Sequence, residues 1–308
     1  MFRKITLIAV AVLTLLALQT PAMAEGEMKP FVLASKGSGS IASATADATA
    51  KVTAAGFEVV GTYAPYASAN ILVITNDALK ANAAKSEFGA YGVAQRVSIT
   101  KHNGEIQVAF TNPTYMASAY RMDGDLAGVT AALKGALGDQ GEYGPETGLT
   151  DKELRKYHYA FLMEYFDDPS KLVTYDDHAA AVAGVEAALA KNGSGVTKVA
   201  RVDVPGKEEV FFAVGMSGDL GNNNEKFRSD EYIMNEIDFK DLRSTAHLPY
   251  EIVVSGNRVY SLYARFRIAI NFPDLSMMGD NSFMNIMASP EQIREALTVA
   301  AGGEFKKK

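Results

Sequence analysis

Three groups of residues in this chain of 308 have side chains suited to chemistry: a methionine set, an arginine pair and an acidic cluster beside a histidine. Met277 and Met278 are followed by Met284 and Met287, and a spacing of three would put the last two on one helix face. Thioether sulfur is a soft donor, and Cu(I) is the ion it would select. Methionine also fills irregular gaps in a core. With no histidine in that stretch to complete a mixed site, core filling is the plainer expectation. Arg265 and Arg267 alternate with Phe266, Ile268 and Ile270, which predicts a strand with one apolar and one cationic face. Two guanidiniums on one face could hold a carboxylate or phosphate, although a solvated face or pairing with the excess acids would use them equally well. Asp176-Asp177-His178, with Asp167-Asp168 nearby, are metal-ligand types. Three consecutive residues in one helical turn diverge, however, and aspartate at a helix start is expected to cap backbone N–H groups.

Other chemistries lose their residues. Cysteine and tryptophan are absent and histidine numbers 4, so disulfides, thiol nucleophiles and cysteine metal centres are excluded. Lys and Arg total 30 against 36 Asp and Glu, a formal net charge of −6, which gives no support to nucleic-acid binding. Gly37-Ser38-Gly39 and Gly193-Ser194-Gly195 match neither dinucleotide nor P-loop spacing. G-x-S-x-G and H-E-x-x-H do not occur. Asp219 with Asn222 to Asn224 lacks the spacing of an EF-hand.

The elements that must position these groups begin after an export signal. Arg3 and Lys4 precede an apolar run from Ile5 to Leu18, and Ala22-Met23-Ala24 supplies the small-x-small pattern for cleavage after Ala24. The run is shorter than the roughly 20 residues needed to span a bilayer. A signal peptide over 1–24 and a periplasmic location are therefore expected. The remainder reads as two passes through one order. In the first, over 25–138, an apolar stretch at 31–34 leads to a helix near 43–55, strands around Val59–Tyr63 and Ile71–Ile74, and a polar helix near 77–85. Asn103-Gly104 then centres a hairpin, since that pair tolerates the positive φ of a tight turn, and a closing helix is predicted near 123–137. In the second, over 157–303, Phe161-Leu162-Met163 stands first. A helix near 176–191, strands at 196–204 and 210–216, a long polar insert over 217–247, a hairpin about 255–257 and a closing helix near 290–300 follow. Between the two lies a linker, 139–156, rich in glycine with Pro145. Thr150 with Glu153 forms a capping-box pattern there. A basic tail, 304–308, ends the chain.

Gly56-Phe57-Glu58-Val59 after the helix, the hairpin at Asn103-Gly104, and Asn112-Pro113-Thr114-Tyr115-Met116 before the last helix resemble the bacterial family called domain of unknown function 302. Leu248-Pro249-Tyr250-Glu251-Ile252 resembles it in the second half. The resemblance implies an α/β fold of α+β type, a two-layer sandwich whose single-domain members pair as dimers, and no activity comes with it. The expected architecture is a tandem duplication of a small mixed-sheet domain, the copies forming an intramolecular pseudo-dimer. The aromatic run Tyr157, Tyr159, Phe161 would start their interface.

The expected function is a periplasmic protein that binds a small molecule or another protein without catalysing a reaction. Arg265, Arg267, Tyr159 and Tyr115 are its candidate ligand-binding residues. No cofactor is predicted. The alternatives are an enzyme using Asp, Tyr and Arg groups at the cleft between copies, and a copper-handling protein using Met277, Met278, Met284 and Met287.

Overall fold

The computed structural model describes residues 26–306 apart from Leu220 and Asn223. The expected signal peptide lies outside the described residues. The fold is α+β, built on two antiparallel sheets of six and five strands.

The first half opens with β1 (Phe31–Gly37) and α1 (Ile41–Ala54), whose N-cap Ser40 accepts from Ser43 N at 3.1 Å. The helix turns out through Gly56 at φ +85°, a left-handed conformation that costs glycine nothing. Then come β2 (Glu58–Tyr63), β3 (Ala69–Thr75) and α2 (Asp77–Lys85), capped by Asn76. The hairpin β4 (Gln95–His102) and β5 (Glu105–Thr111) turns at Asn103 and Gly104, both at positive φ. Two helices follow, α3 (Pro113–Ala119) and α4 (Ala127–Leu137), where the sequence suggests one. Asn112-Pro113 starts the earlier helix with proline in its first turn, a position where the missing N–H costs nothing. Strand β6 (Glu142–Tyr143) then adds to the edge of β1, so the glycine-rich linker is docked on the sheet. The capping box of Thr150 and Glu153 forms as expected and starts α5 (Asp151–Leu154).

In the second half the first strand is β7 (Ser170–Thr174) and not Phe161-Leu162-Met163, which is irregular, with Phe161 85% exposed. It leads to α6 (His178–Ala190), β8 (Val196–Asp203), β9 (Glu209–Met216), α7 (Asp230–Ile237), β10 (Tyr250–Ser255), β11 (Arg258–Ser261), α8 (Ala264–Asn271) and α9 (Ser289–Ala300). The sheet orders are β2-β3-β4-β5-β1-β6 and β7-β11-β10-β9-β8. Without the two-residue β6, both sheets have the same order of corresponding strands. All pairings are antiparallel, so the sheets are not mixed. The opening strand returns beside the fifth and runs against it.

The outer faces bury the helices and the inner faces bury each other. Leu72 and Ile74 pack under α1, while their neighbour Ile71 belongs to the core of the second half. The reverse holds in β9, where Phe211 and Ala213 join the first half's core. Strand alternation thus lets one sequence serve two cores. Edge strands β2 and β8 lie side by side. A side chain at Gly61 would bring a Cβ to 2.3 Å from Val199 O. Short turns before the fourth strand of each half cross over. The turn at 89–92 lies on β9 and β10, and that at 245–247 lies on β3, β4 and β5. Tyr63 Oη donates to Asp230 Oδ2 at 2.7 Å and Tyr115 Oη to Ile270 O at 2.7 Å. Thr100 Oγ1 donates to Thr245 Oγ1 at 2.9 Å.

Two buried carboxyls near this junction set a pH dependence. Burial raises Asp230 from 3.8 to about 7, against the N–H of Met216 and the Tyr63 hydroxyl, and raises Asp238 to about 6. A raised folded pKa means that the native state binds the proton more tightly. The contribution to stability is therefore full below the unfolded value near 4 and is lost as pH rises through 6 to 7. Urea unfolding of Asp230→Asn should accordingly lack part of the stability that the parent gains between pH 8 and pH 5. The difference should be on the order of a few kcal/mol. Parallel stability–pH curves for the two proteins would contradict it.

Candidate ligand groove

The most charged place in the core is the contact between the sheets. Arg96 on β4 extends across to Glu251 on β10, with Nη2 at 2.5 Å from Oε2, and its Nε donates to Pro249 O at 3.1 Å. Arg267 on α8 holds the other carboxylate oxygen through Nε at 2.8 Å. Its Nη2 donates to His247 O at 2.6 Å and Pro249 O at 2.7 Å, and its plane lies 4.0 Å from the centre of the Tyr250 ring. All three charged side chains are buried. Glu251 strengthens the hold of Arg267 on its proton, whereas burial lowers Arg96. Burial and the two guanidiniums push His247 well below the usual histidine value, so it is neutral. Every charge in this cluster is satisfied by another member, which makes it a clasp between halves and leaves nothing aimed at a substrate.

Arg265 and Arg267 therefore do not form a cationic strand face. They lie on a helix, and nearly every residue of α8 is buried. Helical spacing puts Phe266 and Ile270 toward the first half's core while Arg267 turns to Glu251. Arg265 is held in a bidentate pair by Glu164. Tyr115 is wholly buried and its hydroxyl is spent on Ile270 O. Asp177 caps α6 by accepting from Ala180 N at 2.8 Å, and His178 Nδ1 meets Gly256 O at 3.0 Å. Among the described residues, His, Asp and Glu side chains do not gather in threes able to hold a metal.

The methionines occupy an open groove of about 490 Å³ at the outer end of the second half. Met163, Met277, Met284 and Met287 line it together with Phe283, Tyr263, Arg294 and Phe305. Core filling does not describe them. Met277 is 45% exposed, Met284 48% and Met287 62%, and Met278, outside the groove, is 73% exposed. Backbone bonds hold the loop in shape: Met284 N donates to Met277 O at 3.2 Å and Met287 N to Met284 O at 3.3 Å. Tyr159 sits beside this groove, its ring 6.4 Å from that of Phe283, and lines a small hollow with Met163 and Arg265. The residues at 305 and 306, read from sequence as part of a basic tail, close the far end.

Arg294 gives the groove its polarity. On α9, its guanidinium carbon lies 5.9 Å from the centre of the Tyr263 ring and 5.9 Å from that of Phe305. Its Nε is buried without a hydrogen-bond partner, and it enters no ion pair among the described residues. No family model, curated protein or solved structure matches the chain. The groove must be understood from its own side chains.

Of the residues sequence reasoning singled out, Arg265, Met277, Met284 and Met287 line the groove, Tyr159 lines the hollow beside it, and Met278 stands outside. That reasoning missed Arg294, Tyr263 and Phe305. The spacing of Arg294 from Pro290, one helical turn on the solvent side of α9, was the available signal.

Proposed function

We propose that this is an exported, tandemly duplicated relative of the domain of unknown function 302, a binding protein without catalytic activity that takes a small apolar molecule with an anionic end into the methionine-lined groove. Arg294 carries the reading. A guanidinium with no carboxylate partner among the described residues, near two aromatic rings in a groove lined by thioethers, matches a ligand with an apolar body and one negative group. The identical order of corresponding strands in the two sheets supports duplication, and the mutual satisfaction of Arg96, Glu251 and Arg267 supports the absence of catalysis at the junction. Export rests on the sequence before Glu25.

An anilinonaphthalene sulfonate tests the pocket, with neutral phenylnaphthylamine as its uncharged counterpart. One sulfonate probe should bind per chain. Arg294→Gln should weaken it about 10- to 100-fold, the scale of a charge-assisted hydrogen bond, while leaving the neutral probe little changed. Equal binding of the sulfonate to parent and variant would remove Arg294 from the site and the reading with it.

A further inference from the structure

We propose that the groove holds a Cu(I) site with Met277, Met284 and Met287 as donors and Met163, from a segment distant in sequence, completing it. The backbone bonds Met284 N to Met277 O and Met287 N to Met284 O draw three thioether-bearing residues onto one compact loop. Met284 lies within the short 3-10 turn Phe283–Ile286, and Met287 caps its end three positions on. Met163 comes from a chain segment more than a hundred residues away and lines the same space. Leaving such side chains about half exposed forgoes the burial that apolar residues ordinarily gain, so their accessible sulfurs are the feature to explain.

The donor chemistry selects the ion. The described lining offers thioethers and neither histidine nor thiolate, and only a soft monovalent ion such as Cu(I) is well served by neutral sulfur. Zn(II) and Cu(II) prefer imidazole and carboxylate donors, of which the described lining holds Glu291 alone. Arg265 is neutralised by Glu164, and Glu291 stands on the rim as an exposed counter-charge. Binding involves no change in copper oxidation state. The copper donors are side chains other than Arg294, so the site adds a second ligand class to the same groove.

The test is anaerobic competition for Cu(I) against bicinchoninate, using the chain from Glu25 onward. The parent should withdraw one equivalent. Met284→Leu should weaken that by about tenfold or more, a scale reached even by supporting groups at metal sites, and Met284→Leu with Met287→Leu should abolish it. Leucine keeps the volume, so the melting curve should persist in both variants. Met278→Leu should compete like the parent, because Met278 lies outside the groove. Failure of the parent to compete, full competition by the double variant, or equal loss in Met278→Leu would each overturn the proposal. Arg294→Gln should leave copper binding intact, which separates failure of this site from failure of the anion site.

Discussion

Replacing Glu251 by alanine is expected to lower the melting temperature more than any other single change in the chain. Among the described residues Glu251 is the only carboxylate shared by Arg96 and Arg267, and both guanidiniums are buried beside it. Its removal leaves two positive charges facing each other in the interior, each already stripped of water. Breaking a buried pair this way costs about 3–5 kcal/mol, and at about 2–4 °C per kcal/mol for a protein of this size the fall should be on the order of 10 °C. Replacing all three residues by methionine or leucine should restore much of the loss, because the desolvation cost disappears with the charges. Differential scanning calorimetry of the single and triple variants decides it. A shift of only a degree or two in Glu251→Ala would mean that the clasp is solvated and that the halves are held by their apolar faces alone.

The second large effect concerns the joint. A protease site placed between Gly144 and Gly148, then cut, should leave the two pieces co-eluting on gel filtration with nearly the parent's melting curve. Each half contributes to the other's core, Ile71 to the second and Phe211, Ala213 and Val253 to the first, and neither can bury its inner face alone. The pieces expressed apart should be insoluble or largely unfolded. Ser at Phe161 should not change this, since that ring is 85% exposed and does not begin the interface as the aromatic run suggests. Valine at Gly61 should be severe, because its side chain would collide with the Val199 carbonyl. Pieces that separate freely and melt independently would refute this mutual burial.

The fold was legible wherever a local rule acted alone. Asn103-Gly104 announced its hairpin, Thr150 with Glu153 its helix start, and the apolar run Ile71–Ile74 the strand β3. The Arg265–Ile270 stretch misled because a helix buried on nearly all sides shows no polar stripe, so its residues fit a strand pattern equally well. Phe161 and the exposed methionines misled for the opposite reason: apolar composition was read as burial, and these side chains are outside. The groove itself was only partly visible. Its walls come from positions 163, 263, 277–294 and 305, and no pattern within a short window can disclose that they converge. The clasp was invisible as a clasp because Arg96 and Glu251 stand 155 positions apart.

The side-by-side course of β2 and β8 has a meaning for the life of the protein among its neighbours. An open edge strand is a template on which another chain can add and begin an aggregate. Here each half presents its long outer edge to its sibling, the opposite edge of the first sheet is the two-residue β6, and that of the second is the short, bulged β7 bearing Lys171. Tethering the halves in one polypeptide means that each newly made sheet has its shield supplied from the same molecule. A crowded solution of such chains should therefore stay monomeric at concentrations where the separated halves would knit together edge to edge.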